Sequence, residues 1–397
     1  MRKIVFAMAC GLTAVVTSCG GSSTPNNQSQ PTQQEATIPT AAVQELKDAL
    51  TAVQGKGILF GQHDALAYGM GDGSEWNAVK HNTNDSSDIK LVTGSHPAIF
   101  SWDLGHIDDA FNLDTVPFDS IRSFIFKAYR EGGINTISWH ERNPVTNDNA
   151  WTKPNEETCV KNFIPGGSKV EMFNQKLDKV ADFLNSLVLD GKDVPVIFRP
   201  WHEMDGSWFW WGNDHCTHDE YKALYRYTIE YLRSKGVDNI VVAYSPDRNF
   251  KTEEEYLQWY PGDDIVDIVG MDNYWDIPEA YDEKNKTYDK EKLDVMVKKL
   301  EIVVNYAKKH GKLPALTECG NETVNLDKWY TEGLLPVITA NETTRQIIYA
   351  QVWRNRHSKH YYVPFKGHPQ ESDFVKFAND SRIFLLNDYN EFKKQTK

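Results

Sequence analysis

Short apolar runs rich in β-branched and aromatic residues alternate along the chain with longer segments of helical period. The apolar runs predict eight strands, at residues 58–60, 98–102, 135–139, 194–199, 240–244, 265–271, 313–318 and 347–353. The amphipathic segments predict helices at residues 41–53, 118–131, 170–189, 219–235, 290–309 and 326–332. Regular alternation of strands with helices predicts an α/β fold with a parallel sheet.

The ends of these strands separate the two architectures that fit the pattern, a closed (β/α)8 TIM barrel and an open doubly wound sheet. The GQHD sequence at residues 61–64 lacks the glycines of a phosphate-binding loop. Residues able to do chemistry follow seven of the eight predicted strands, in the order His63, Asp103, His140, Glu203, Tyr274, Glu318 and Arg354. Because a barrel brings the carboxyl ends of all its strands to one mouth, we predict a TIM barrel forming a single catalytic domain.

The first residues are typical of a secretion signal. Arg2 and Lys3 precede an apolar run at residues 4–16, which is too short to span a bilayer. Small residues then precede Cys19, as in a bacterial lipobox, so we predict that Cys19 is acylated and anchors the protein to a membrane. An ordinary cleaved signal with a chance cysteine is the alternative.

This pattern divides the chain into three parts. We predict a lipoprotein signal peptide at 1–18, a flexible tether rich in Gly, Pro and Gln at 19–39, and the catalytic domain at 40–397. No acidic residue directly follows Cys19, which favours an anchor facing the periplasm over export to the cell surface. We expect a monomer that touches the membrane only through this anchor.

Charge and cysteine spacing limit the partners. The net charge of −13 excludes a polyanion such as nucleic acid, which needs a basic surface. Cys159, Cys216 and Cys319 do not have the spacing of a zinc site, and we expect no metal or other cofactor. Cys159 and Cys216 belong to loops after neighbouring strands, so a disulfide between them is as reasonable as two free thiols. Cys319 should be buried as a small apolar residue.

Glu203 lies in VIFRPWHEMDGSWFWWG, residues 196–212, after the fourth predicted strand. His202 precedes it, and four tryptophans surround it in sequence: Trp201, Trp208, Trp210 and Trp211. A carboxyl group partly removed from water has a raised pKa, which suits a general acid. Indole rings stack on sugar rings, so the segment indicates a sugar subsite. The alternative is a Trp-rich core segment in which Glu203 forms a structural salt bridge with Arg199.

Glu318 lies in LPALTECG, residues 313–320, at the end of the seventh predicted strand. Alone it could be a structural acid, but strands four and seven face one another across an eight-stranded barrel. Hydrolysis of a glycosidic bond with retention needs two carboxyl groups about 5–5.5 Å apart, one as acid/base and one as nucleophile. Glu203 and Glu318 are therefore predicted to form that pair.

Five further residues have both a functional and a structural interpretation. Tyr274 could donate a hydrogen bond to the nucleophile or simply pack at the rim. His140 could contact substrate or satisfy polar groups of the core, as could His63. Trp353 and Arg354 could form a sugar platform and a hydroxyl clamp, or close the last strand.

Taken together, the segments resemble glycoside hydrolase family 26 from about residue 40 to the C-terminus. The resemblance rests on GQHDALAYG, PAIFSWDLG, ISWHERNP, RPWHEMDGSWFWWG, DIVGMDNYW, LTECG and QVWRN, in this order. It implies that Glu203 is the acid/base and Glu318 the nucleophile. It also implies substrate-binding roles for His140, His202, Trp208, Asp272, Tyr274, Trp353 and Arg354.

The resemblance favours a retaining β-1,4-mannanase acting on mannan, galactomannan or manno-oligosaccharides. An exo-acting enzyme that releases mannobiose stays open, as do a β-glucanase and a β-1,3-xylanase of the same family. A lipid-anchored protein that binds glycans without turnover would need aromatic residues but not two opposed carboxylates. A metal-dependent deacetylase would need an Asp/His cluster with the spacing of metal ligands, which this sequence lacks.

Overall fold

The computed structural model describes residues 39–81 and 85–396. The predicted signal peptide at 1–18, Cys19 and nearly all of the predicted tether lie outside these residues. The described chain from Pro39 onward forms one compact unit. Within it, no helix is long and apolar enough to cross a membrane.

Eight parallel strands close into a barrel. In chain order they are β1 Ile58–His63, β2 Ile99–Asp103, β3 Ile134–Trp139, β4 Val196–Pro200, β5 Ile240–Tyr244, β6 Ile268–Asn273, β7 Leu313–Cys319 and β8 Tyr349–Val352. Each strand pairs in parallel with the next, and β8 returns to β1, with Leu59 opposite Tyr349 and Gln62 opposite Val352. This closure confirms the predicted TIM barrel and excludes the open sheet.

Helices surround the strands. They span Ala41–Val53, Ala78–His81, Asp88–Thr93, Phe118–Arg130, Val170–Asn185, His218–Ser234, Glu253–Leu257, Asp276–Glu279, Lys290–His310, Leu335–Ile338, Glu371–Ala378 and Leu386–Gln395. Short 3₁₀ segments lie at Val160–Asn162, Glu322–Val324 and Thr344–Gln346, and a π-helix at Trp329–Leu334. Strand Ile383–Phe384 pairs in parallel with the first two residues of β1. Three hairpins pair Tyr68–Gly69 with Trp76–Asn77, Val188–Leu189 with Lys192–Asp193, and Tyr281–Asp282 with Thr287–Tyr288.

The predicted helix at 170–189 is four residues too long. The helix ends at Asn185, and the chain continues into the hairpin of Val188–Leu189 with Lys192–Asp193. Asp190 and Gly191 form its turn with φ of 53° and 76°, the left-handed conformation that an Asp-Gly pair favours in two-residue hairpins. The turn signal was present in the sequence but the helical period concealed it.

Helix Ala41–Val53 closes the amino-terminal end of the barrel. Thr40 caps it by accepting a hydrogen bond from the Val43 amide. The apolar face of the helix belongs to the same hydrophobic cluster as Leu59, Ile99 and Ile197, which point into the barrel from β1, β2 and β4. This end of the barrel is therefore filled with apolar side chains.

The opposite end of the barrel is polar inside. Side chains two residues apart on a strand share a face, so Arg199 points inward above Ile197 on β4, as does Ser101 above Ile99 on β2. Both side chains are buried. Arg199 donates to the Ser245 hydroxyl just after β5, and Ser101 accepts from Gln351 on β8. The fold thus separates an apolar floor from a polar mouth at the carboxyl ends of the strands, where TIM-barrel enzymes carry their chemistry.

Candidate active site

Glu318 is turned toward the barrel mouth by irregular strand pairing. The register of β7 shifts against β6 between Met271 and Asp272, and against β8 between Leu316 and Cys319. Such a bulge re-aims a side chain that regular alternation would point elsewhere. Asp272 is consequently opposite Glu318, and both side chains belong to the polar mouth.

Arg199 is the central cation of this mouth. Its guanidinium is buried, donates to Asp272 Oδ2 at 2.8 Å and to Ser245 Oγ at 3.0 Å, and forms a close ion pair with Glu318 Oε1. Burial alone would lower the pKa of Arg199, but the charges of Asp272 and Glu318 outweigh it and raise the pKa. Arg199 therefore stays charged, and its partners are Glu318 and Asp272, which corrects the alternative that paired it with Glu203.

Tyr274 holds the second oxygen of Glu318. Its hydroxyl donates to Glu318 Oε2 at 2.7 Å. Burial, reinforced by the charge of Glu318, raises the pKa of Tyr274 well above its usual value, so the phenol keeps its proton and acts as a donor. Glu318, only 4% exposed, is thus held by a donor on each oxygen, which fixes its orientation as a nucleophile requires.

Glu203 follows β4 on a strained turn. Its φ is 54°, as is that of Trp201, and a left-handed conformation is uncommon for residues other than glycine. The Glu203 amide donates to the Ser245 carbonyl at 2.9 Å, and Trp208 Nε1 donates to Glu203 Oε2 at 2.8 Å. The backbone and one indole therefore aim a half-buried carboxyl group into the mouth.

The surroundings of Glu203 favour its protonated form. Removal from water raises its pKa well above the usual value, and the negative charges of Asp272 and Glu318 raise it further. The hydrogen bond from Trp208 acts in the opposite direction. A carboxyl group that keeps its proton near neutral pH can serve as a general acid.

Three of the four tryptophans predicted near Glu203 lie behind it. Trp201, Trp210 and Trp211 are fully buried. Their indole N–H groups donate to the Thr228 hydroxyl and to the carbonyls of Glu141 and His202, respectively. These rings are core that supports the turn, so the predicted aromatic platform reduces at this position to Trp208.

Gly206 makes room for Trp208. A Cβ atom at residue 206 would overlap the six-membered ring of the Trp208 indole. We expect Gly206→Ala to push the indole away and break its hydrogen bond to Glu203, lowering kcat about tenfold, the scale of one misplaced hydrogen bond at a reacting group. Steady-state kinetics would test this, with Ser207→Ala as a control at the adjacent exposed residue. Unchanged kcat in Gly206→Ala would contradict the positioning role.

His202, His140 and Asp103 form a hydrogen-bonded chain beside the two glutamates. His202 Nε2 lies 3.0 Å from His140 Nε2, and His140 Nδ1 lies 2.7 Å from Asp103 Oδ2. Burial lowers the pKa of His202 well below its usual value, so this imidazole is neutral. One side-chain atom from each of His202, Asp272 and Glu318 lies within 4.8 Å of the other two, so His202 is next to the nucleophile.

Trp353 and Arg354 follow β8 on the other side of Glu318. The Trp353 indole stacks on the His63 imidazole with ring centres 3.9 Å apart, and its ring centre lies 5.7 Å from that of His140. Arg354 forms a close ion pair with Asp114 and donates from Nε to His360 at 3.3 Å. The mouth therefore brings together every predicted substrate-binding residue, whereas Asp114 and His360 were not predicted because they lie on long loops without a pattern.

The three cysteines of the described residues are free thiols. Cys159 donates to the Glu156 carbonyl, and Cys216 to the carbonyl of Trp211. Of the two alternatives for Cys159 and Cys216, a disulfide or two free thiols, this structure therefore has the free thiols. Cys319 is buried, as expected, and its thiol donates to the Gln351 carbonyl.

A carboxyl group of raised pKa beside an ion-paired carboxylate, at the mouth of a TIM barrel, is the arrangement of a glycoside hydrolase active site. The model of glycosyl hydrolase family 26 matches residues 36–331. The chain belongs to this family.

Relatives and solved structures agree with this assignment. A mannan endo-1,4-β-mannosidase of Bifidobacterium adolescentis is 32% identical over 333 residues, 78% of this chain and 32% of that protein. The enzyme of the same name from Bacillus subtilis strain 168 is 35% identical over 47% of this chain and 53% of its own length. The chain thus spans between a third and about half of these curated relatives.

Among solved structures, the GH26 β-mannanase BoMan26A of Bacteroides ovatus is 40% identical, with a TM-score of 0.78 over 87% of this chain and 95% of that chain. The catalytic domain of an endo-β-1,4-mannanase from Bacillus sp. JAMB-750 is 32% identical, with a TM-score of 0.80 over 89% and 94%.

Proposed function

We propose that the protein is a retaining endo-β-1,4-mannanase. The observation that carries this proposal is that two carboxyl groups at the mouth of the barrel have different surroundings. Glu318 is bound by Arg199 and Tyr274, whereas the pKa of Glu203 is raised by burial and by neighbouring negative charge. A retaining glycosidase needs this division between a nucleophile and an acid. Mannan as the substrate is supported by the activity named for the relatives.

In the first step, a Glu318 oxygen attacks the anomeric carbon while the bond from that carbon to the glycosidic oxygen breaks. The Glu203 proton passes to the departing oxygen, leaving Glu203 ionised and the sugar bound to Glu318 as an ester. In the second step, Glu203 takes a proton from water, whose oxygen attacks the anomeric carbon and releases Glu318. Two inversions leave the product with the configuration of the substrate.

Product analysis tests this proposal. We expect new reducing ends on β-1,4-mannan, with the first product in the β configuration by proton NMR before mutarotation. On mannohexaose an endo enzyme produces several lengths at early times, whereas release of mannobiose alone would favour the exo alternative. An α first product would contradict the double displacement, and failure to cleave mannan while cleaving glucan or β-1,3-xylan would reassign the substrate.

We also propose that the enzyme is an exported lipoprotein anchored through Cys19 and facing the periplasm. The support is the sequence alone: a basic start, a short apolar run and small residues before Cys19. Expression of the full chain in a Gram-negative host tests it. Wild-type protein should fractionate with membranes and incorporate radiolabelled palmitate, and Cys19→Ala should do neither. Palmitate label in Cys19→Ala would contradict the anchor. Cleavage of the enzyme by a protease added to intact cells would place the enzyme on the cell surface.

A further inference from the structure

Trp275 is the most exposed of the large hydrophobic residues that stand out on the described surface, with 55% of its area open to solvent. It directly follows Tyr274, the donor to Glu318, at the end of β6. The other exposed Trp and Phe residues in that group, Trp151 and Phe111, also lie on loops after barrel strands. Exposed aromatic residues confined to the rim of a cleft indicate a binding surface, because burial elsewhere would be favourable.

The backbone of Trp275 is rigidly held. Asn273 Oδ1 accepts hydrogen bonds from the amides of Trp275 and Asp276, and Asn273 Nδ2 donates to Asp276 Oδ2 at 2.8 Å. The buried Asp276 also accepts from Lys299 at 2.7 Å. A ring on such a base loses little freedom on binding, which favours a contribution to affinity.

Arg248 supports the indole. Its guanidinium carbon lies 5.9 Å from the centre of the Trp275 ring, and its nitrogens contact Asp276 Oδ1 and Glu279 Oε1, each at 2.7 Å. The charged group therefore packs against the ring while more than half of Trp275 stays in water. An apolar surface fixed in this way can stack on the C–H face of a sugar ring.

The loop that carries Arg248 is hydrogen-bonded to the loop that carries Glu203. Asp205, two residues after Glu203, accepts from the amides of Asp247 at 2.6 Å and Asn249 at 3.0 Å. Trp275 is thus connected to Glu203 through this loop and to Glu318 through Tyr274. Trp353 and Arg354 stand on the other flank of Glu318, after β8. As the acid, Glu203 protonates the departing oxygen, so the leaving sugar lies on the side of Glu203, the flank of β4 to β6.

We infer that Trp275 is a stacking platform for a mannosyl ring on the leaving-group side of the cleft and makes the enzyme prefer longer chains. This inference rests on the proposed function. An indole that stacks on a sugar several positions beyond the cleaved bond contributes to affinity only if the substrate extends to that position. Loss of the platform should therefore affect long manno-oligosaccharides and spare substrates with a short leaving group.

Two substrates separate the possibilities: mannohexaose, and an aryl β-mannobioside whose leaving group is a single ring. We expect Trp275→Ala to lower kcat/KM about tenfold on mannohexaose, the scale of one stacking contact, and less than twofold on the aryl glycoside. Trp275→Phe, which keeps an aromatic face, should recover most of the loss. Val188→Ala removes an exposed apolar residue before β4 and should leave kcat/KM unchanged on both substrates.

Equal losses on both substrates would overturn the inference, because they would indicate a disturbed Tyr274, and so would no loss on either. Turnover of both substrates by the wild-type enzyme is the separate test of the proposed function. The ratio between the two substrates in the variants reports on Trp275 alone.

Discussion

Replacement of Glu318 by Ala should lower kcat on mannan by about four orders of magnitude, equivalent to about 5.5 kcal/mol of activation free energy. The glycosyl-enzyme cannot form without the carboxylate that Arg199 and Tyr274 hold in place. Aryl mannosides should lose the first step as well, since good leaving groups need less protonation but still need a nucleophile. Pre-steady-state kinetics should show no burst of phenol.

Azide distinguishes a missing nucleophile from a damaged fold. In Glu318→Ala, azide can enter the space of the lost carboxylate and attack an activated aryl mannoside directly, giving the α-mannosyl azide by a single inversion. Glu342→Ala removes an exposed carboxylate that precedes β8, away from the mouth, and should leave turnover unchanged. If Glu318→Ala kept near-normal activity on mannan, or yielded β-mannosyl azide, its assignment as nucleophile would be wrong.

Strand order was predictable because it depends on hydrophobic pattern, and the carboxyl-terminal ends of strands mark the mouth of any barrel. All eight predicted strands overlap barrel strands, and Glu203, Tyr274 and Glu318 meet at that mouth. Bounds were less accurate where a turn interrupts a helical period, as at Asp190 and Gly191. The short helices Glu371–Ala378 and Leu386–Gln395, after the last barrel strand, were not predicted.

Details of the site depended on contacts between distant residues. The structural alternative for the Trp-rich segment paired Arg199 with Glu203. The shift in the register of β7 instead turns Glu318 toward Arg199, 119 residues away. Likewise, the residue pattern did not separate Trp208 from its three neighbouring tryptophans; only the family resemblance did. The strained turn at Trp201 and Glu203 decides which ring reaches the carboxyl group.

Replacement of Glu203 by Ala should affect substrates according to their leaving groups. On mannan we expect kcat to fall about a thousandfold, because the sugar oxygen must depart without a proton. An aryl mannoside with an acidic phenol should still form the glycosyl-enzyme, which then accumulates for want of a base to activate water. Rapid mixing should therefore show a burst of phenol followed by slow turnover.

The pH dependence and azide give two independent checks of that role. The first step needs protonated Glu203, so wild-type activity on mannan should fall as pH rises through the raised pKa of this residue, above the ordinary range of a glutamate. Glu203→Ala should lose this alkaline limb on the aryl substrate. Azide needs no base, so it should attack the accumulated glycosyl-enzyme and give β-mannosyl azide, the opposite anomer to that from Glu318→Ala. An α product, or a burst absent from Glu203→Ala, would show that Glu203 is not the acid/base.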